Sequence, residues 1–347
     1  MNKNSVILVV SLAIFLIIAI SPVNNLVKLA VMALALIVII WSRRATFYFV
    51  TANKNYTSKD PEKRKKSIDG FKKALQLGGL PDNYTISAAS LLIQNGEAEV
   101  GKAALDKLAS KSGKSLQVVS NAKISASMAC WIEKDLDGAI KYIEEVKKTA
   151  YRDKNLYING ATYYLEKGDI TAFNKLCDEW KEKNVQSPAL KDLEVVREML
   201  RGNWRKAGNM INDILSLKSY SFADPYVHKA QIRLHYHDVN GAVEALKEAL
   251  ENTKFNACSV ITKDIIEKAI NILEDKESAR KLINGNEENP LSLVNGRLPA
   301  FSDKDFVVNE EKEEKTEQKV SRKEEESSAN TDLTDDDEEW LKAHGLS

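Results

Sequence analysis

The chain has 347 residues, 44% of them hydrophobic and 29% charged, with 15 Gly, 7 Pro and a formal net charge of zero. That composition suits a helix-rich protein with a substantial core and room for appendages. Its three cysteines, Cys130, Cys177 and Cys258, are dispersed and form no C-x-x-C pair. This excludes a disulfide framework and a four-thiolate zinc site, and reads as buried, reduced thiols in a reducing compartment.

The first element is apolar. Two runs, Val6 to Ile20 and Leu26 to Trp41, flank the turn-forming cluster Ser21-Pro22-Val23-Asn24-Asn25. Each run with its flanks approaches the ~20 residues that a helix needs to cross ~30 Å of hydrocarbon. The pair therefore predicts a two-helix transmembrane hairpin over residues 1–45. A cleaved signal peptide is the competing reading, with "AIS" before Pro22 as a cleavage-like site; the Pro after that site and the second apolar run that follows count against it. Arg43 and Arg44 open a basic flank that continues through Lys54, Lys59, Lys63, Arg64, Lys65 and Lys66. Positive charge on that side predicts an integral protein of the cell membrane with both termini cytoplasmic. The same basic flank suits anionic headgroups as a second role.

Residues 46–285 then repeat one pattern. Candidate interhelix turns fall at Gly96, Lys134, Gly168, Gly202 and His237, at intervals of 38, 34, 34 and 35 residues. A helix-like stretch precedes each turn, for example "YINGATYYLEK" and "YVHKAQIRLHYH". An amphipathic helix with a small residue near its start follows, at Gly101, Ala139, Ala172, Ala207 and Ala242. "KRKKSIDGFKKALQLGGLPDNY" supplies an earlier second helix, and "SVITKDIIEKAINILEDKESARKLI" a terminal pair. No such pair buries its apolar face alone, whereas a stack of them shares one core.

This period, with small residues where paired helices cross, resembles the tetratricopeptide repeat family. In "YINGATYYLEKGDITAFNKLCDEW", Gly160, Ala161 and Tyr164 stand at the family's small-small-aromatic positions. Gly168 stands at its turn glycine, and Ala172 or Phe173 at its crossing position. Phe71, Ala74 and Pro81 match the end of a repeat. The units turning at Gly202 and His237 depart from the pattern by one residue. The resemblance implies an all-α chain, a right-handed solenoid of helix-turn-helix repeats whose groove, lined by first helices, binds peptide segments of other proteins. Asn155, Thr162, Arg197, His228 and His235 are the groove-lining residues it points to. The family's carboxylate clamp of Lys and Asn is not recognisable.

From Ser302 to Ser347 there are 16 acidic and 7 basic side chains, a net of −9 that leaves +9 on the rest of the chain. Apolar residues are sparse there, so residues 286–331 read as a disordered acidic linker. Residues 332–347 offer a short helical motif around Trp340 and Leu341, either a partner-binding motif or part of a solubilising tail. Folding back onto the positive body is the third alternative.

Signs of chemistry are few. No phosphate loop, nucleophile elbow or dinucleotide fingerprint occurs, and no H-E-x-x-H metal pattern. His228, His235, His237 and Asp238 cluster, with His228 and His235 seven apart on one helix face, and an enzyme or metal reading would use a site near His235. Basic residues of the body alternate with acids, the pattern of a solvated face and not of a nucleic-acid surface. The sequence thus predicts a non-enzymatic scaffold or adaptor with protein or peptide partners and the lipid bilayer. It predicts no cofactor, metal, nucleic acid or small-molecule substrate. A regulatory or assembly subunit of a membrane-bound envelope-biogenesis or proteolytic complex is the alternative.

Overall fold

A computed structural model describes residues 24–216 and 222–283, together with Val9, Val10, Ala13, Leu16, Ile17 and Ile20 before them. The described residues form helices and no strand: α1 (Asn25–Tyr56), α2 (Pro61–Leu77), α3 (Asp82–Gln94), α4 (Ala98–Ala109), α5 (Leu116–Ile132) and α6 (Leu136–Lys147). After these come α7 (Lys154–Lys167), α8 (Ile170–Glu182), α9 (Pro188–Leu200) and α10 (Trp204–Ser216). The last four are α11 (Asp224–His235), α12 (Val239–Asn252), α13 (Lys263–Glu274) and α14 (Lys276–Ile283). They group into two compact units, the first ending at Tyr151 and the second starting at Arg152.

All five turn positions adopt the left-handed conformation, with φ of 85° at Gly96, 66° at Lys134, 76° at Gly168, 77° at Gly202 and 61° at His237. The same pair of bonds closes each. The N–H after the turn donates to a carbonyl five residues back, as in Asp135 to Cys130 (2.8 Å) and Asp169 to Tyr164 (2.9 Å). The turn N–H itself donates three residues back, as in Gly168 to Leu165 (3.0 Å). These are Schellman ends, which satisfy the last carbonyls of the first helix. The carboxylates of Asp135, Asp169 and Asp238 then cap the second helix by accepting from the N–H groups of Gly138, Ala172 and Gly241. One residue ends one helix and its neighbour starts the next, which fixes the hairpin.

The crossing position lies five residues after each turn. Gly101, Ala139, Ala207 and Ala242 occupy it and are buried. At Gly101 a methyl group would meet Ile93 Cγ1 at 2.5 Å and the Ala89 carbonyl at 2.6 Å, so α3 and α4 touch backbone to side chain. In the third of the five repeats Phe173, fully buried, takes this position, and Ala172 is half-buried beside it. There the small buried residues, Gly160 and Ala161, stand on the first helix instead.

Packing follows the repeat. First helices pack on their own second helices, and α4 packs on α5, α10 on α11 and α12 on α13. First helices also touch one another: α3 meets α5 in the first unit, and α9 meets α7 and α11 in the second. The first unit's core gathers Ala45, Phe49, Ala52, Phe71, Ala74, Ala88 and Leu92. Phe49 stacks on Tyr84 with ring centroids 4.5 Å apart. In the second unit Trp180 and Tyr157 are fully buried and meet edge to face at 6.2 Å.

Helix α1 runs 32 residues without a break. Its apolar half leaves Leu26, Leu29, Leu34, Leu36 and Ile37 exposed, while Val31, Met32, Ala35 and Ile39 are half-buried. That stretch is long and apolar enough to cross a membrane. Its second half buries Ala45, Phe49 and Ala52, mainly against α2, so the helix passes straight through residue 45, the expected end of the anchor. The first apolar run, as the other arm of a hairpin, lies largely outside the described residues. So do the acidic linker, Trp340 and Leu341.

Candidate recognition site

The five groove residues separate into three environments. Asn155 is exposed, and Thr162 is half-buried with its hydroxyl donating to the Ile158 carbonyl of its own helix (2.9 Å). Both lie on the least buried face of α7, a polar ridge of Asn155, Asn159, Thr162 and Glu166 at helical spacing. Opposite this ridge Leu156, Tyr157, Gly160, Tyr163 and Tyr164 are buried, which fixes the helix rotation.

Arg197 and His228 do not line an open groove. From Asp192 to Met199 every side chain of α9 except Glu194 is buried, and α11 is buried nearly throughout from Val227 to Leu234. Arg197 donates through Nε to Asn174 Oδ1 (3.0 Å) and through its guanidinium to Asp178 Oδ1 (2.6 Å), tying α9 to α8. His228 Nδ1 lies 2.8 Å from Asp192 Oδ1. A charge in such surroundings persists only when paired, so both side chains belong to the second unit's interior.

Around His228 the electrostatics are coupled. Burial alone would lower the imidazole, but the Asp192 charge and hydrogen bond, with Asp224 adding to them, hold it above its ordinary range. Burial and the Asp192 charge push the Asp224 carboxyl up to about 6. Asp224 stands four residues before His228, one helical turn away, and was legible as a neighbour. Asp192 sits one repeat upstream, inside an otherwise apolar face of "PALKDLEVVREML", and that buried-face carboxylate is the sequence signal that was missed.

His235 is half-buried and stacks on Trp204, with centroids 4.0 Å apart and planes at 14°. Burial, then the His237 charge, pushes its ring down to about 4. His228 and His235 therefore face different partners, Asp192 and Trp204. Among the described residues no group of three or more His, Cys, Asp or Glu side chains is arranged to hold a metal ion. Cys130 and Cys177 are buried and Cys258 half-buried, all three as free thiols. Burial pushes the Cys177 and Cys258 thiols up to about 12, which suppresses the reactive thiolate.

At the end of the apolar run, Arg44 lies over the Trp41 ring at 4.0 Å, and Arg43 and Arg44 are both half-buried. The following lysines do not share this location. Helix α1 carries the chain about 22 Å beyond Trp41, at ~1.5 Å per residue, before Lys59 and Lys63 to Lys66 begin.

No protein-family model matches the sequence, and no curated protein does. Among solved structures, a tetratricopeptide repeat protein from Parabacteroides merdae ATCC 43184 aligns with a TM-score of 0.52 at 14% identity. The alignment covers 72% of this chain and 93% of that one. At that identity the likeness is one of fold. The chain is all-helical among its described residues, with a tetratricopeptide-repeat-like arrangement.

Proposed function

We propose that this chain is a membrane-anchored, non-enzymatic scaffold that holds peptide segments of partner proteins at the cytoplasmic membrane face. The observation that carries the reading is the continuity of α1. Its apolar half leaves Leu26, Leu29, Leu34, Leu36 and Ile37 exposed and has no fully buried residue, and its other half is packed into the first unit. A largely exposed apolar helix of this length is expected in lipid, where its backbone bonds are satisfied internally. The absence of a flexible joint would hold the first unit at a set distance from the bilayer.

The repeat-like fold supports protein binding as the task, since such stacks present first-helix surfaces to extended or helical peptides. Asn155 and Thr162 on α7 are the contacts offered by the second unit, where amide and hydroxyl groups suit a peptide main chain. A photocrosslinking residue at Thr162, expressed in intact cells, should capture a discrete partner; the same residue at the exposed Lys175 of α8 should not. Equal capture at both positions, or none at Thr162, would sink the peptide-binding reading. The anchoring reading has its own check. Alkaline extraction should leave the protein with membranes, and removal of residues 1–41 should release it.

A further inference from the structure

A cavity of about 200 Å³ opens in the first unit between the end of α2, the start of α3 and the end of α4. Leu75, Leu80 and Leu108 contribute its apolar lining, Gly78 one edge, and Lys107, Lys111 and Lys114 its charge. Lys114 reaches both oxygens of Asp82, at 2.7 and 2.8 Å, which neutralises the one carboxylate in the lining. The next acid, Asp106, is engaged by Lys102 Nζ (2.9 Å) and accepts from the Tyr142 hydroxyl (2.6 Å). Lys107 and Lys111 are exposed and have no carboxylate partner among the described residues.

The place of the cavity follows from contacts along α1. A methyl at Gly70 would touch Ala52 Cβ, and Phe71 meets Phe49 with centroids 5.8 Å apart, so α2 runs back along α1. Continuing that register brings Leu75 and Leu77 to the level of Ala45, next to Arg44 and Trp41. At the other end Asn95, just past α3, donates to the Tyr56 hydroxyl (3.2 Å). The start of α3 and the end of α4 therefore stand at the anchor's end of the unit. Leu116, exposed just past Lys114, adds an apolar side chain there. The basic residues Lys63, Arg64, Lys65 and Lys66, which look membrane-adjacent in sequence, lie at the opposite end.

We propose that this cavity binds a phosphate group, presented to it by anionic phospholipid headgroups. Lys107 and Lys111 supply the charge, and the leucine floor receives the glycerol side of the headgroup. The headgroup source rests on the anchoring reading above; the phosphate chemistry does not.

The test uses full-length protein in nanodiscs of phosphatidylcholine with a minority of phosphatidylglycerol, released for native mass spectrometry that counts retained lipids. Wild type should retain phosphatidylglycerol over phosphatidylcholine. Lys107→Gln with Lys111→Gln should lower that retention, by roughly fivefold per lysine. Lys65→Gln with Lys66→Gln, at the far end, should leave it unchanged. No lipid preference, or equal losses in both variants, overturns the proposal. Retention that inorganic phosphate fails to displace, at matched ionic strength, assigns the headgroup. Displacement by phosphate supports the same site filled from a soluble source. Failure of the protein to enter phosphatidylcholine discs would count against anchoring alone. The cavity is then tested by a phosphate-induced rise in melting temperature, which the Lys107/Lys111 variant must lose.

Discussion

His228 of α11 and Asp192 of α9 meet at 2.8 Å inside the second unit, each with a side chain only 4% exposed. This contact joins the first helices of adjacent repeats, the surface where such folds more often meet a guest. Its consequence is a stability that depends on pH. The His228 ring sits above its ordinary range when folded, so its stabilisation is complete below about 6.5 and is lost as pH rises through the folded value. Asp224 acts in the same direction. Its carboxyl is raised to about 6, so folding binds a proton between about 4 and 6, and stability falls across that window as pH rises. Melting temperature should therefore decline from pH 5 to pH 8. His228→Gln should flatten the upper part of the curve; an unchanged slope would refute the pairing.

His235 should behave in the opposite sense. With its ring pushed down to about 4 by burial and His237, it remains neutral through the physiological range. Its NMR signals should not titrate between pH 5 and 8. Trp204→Ala removes the stacked partner, admits water and should return the midpoint toward about 6.5. The same substitution should destabilise the unit by about 1 kcal/mol or more through the lost aromatic contact.

Gly101 is a packing requirement. Gly101→Ala places a methyl 2.6 Å from the Ala89 carbonyl and 2.5 Å from Ile93 Cγ1, and a backbone oxygen cannot swing away. The expected cost is about 1–3 kcal/mol, read from chemical denaturation in mild detergent. Wild-type stability in this variant would mean that α3 and α4 cross at a larger distance.

His237 holds a left-handed turn with φ of 61°, a conformation that costs a side-chain-bearing residue about 1–2 kcal/mol. Glycine removes that strain but loosens the unfolded chain by about 0.4–1 kcal/mol. His237→Gly should therefore stabilise by about 0.5 kcal/mol, while Gly168→Ala at the matching turn should destabilise. A melting temperature that moves the other way in either variant would contradict the shared turn geometry.

How far these features were legible depends on whether the signal was local. The five turns from Gly96 to His237 could be found because a Schellman end needs a left-handed residue, and the helix periodicity on either side marks where it falls. The crossing residues were nearly as clear. The slip between Ala172 and Phe173 arose because small residues on either helix of a pair allow the approach, and the third repeat places them on its first helix. The groove residues were less accessible. Asn155 and Thr162 stay on a partly open ridge, but Arg197 and His228 turn inward because Asn174, Asp178 and Asp192, distant in sequence, satisfy them.

By itself the sequence determined the helices, their turns, their period and the apolar length of α1, since each depends on residues within a few positions of one another. Tertiary structure alone decided which polar side chains are enclosed and which lysines share an end with the apolar half of α1. Lys63 to Lys66 follow the apolar run closely in sequence yet are carried away by a rigid helix, while Lys107 and Lys111 return through antiparallel packing. Burial and electrostatic pairing are set by distance through space, and a helix hairpin reverses distances along the chain.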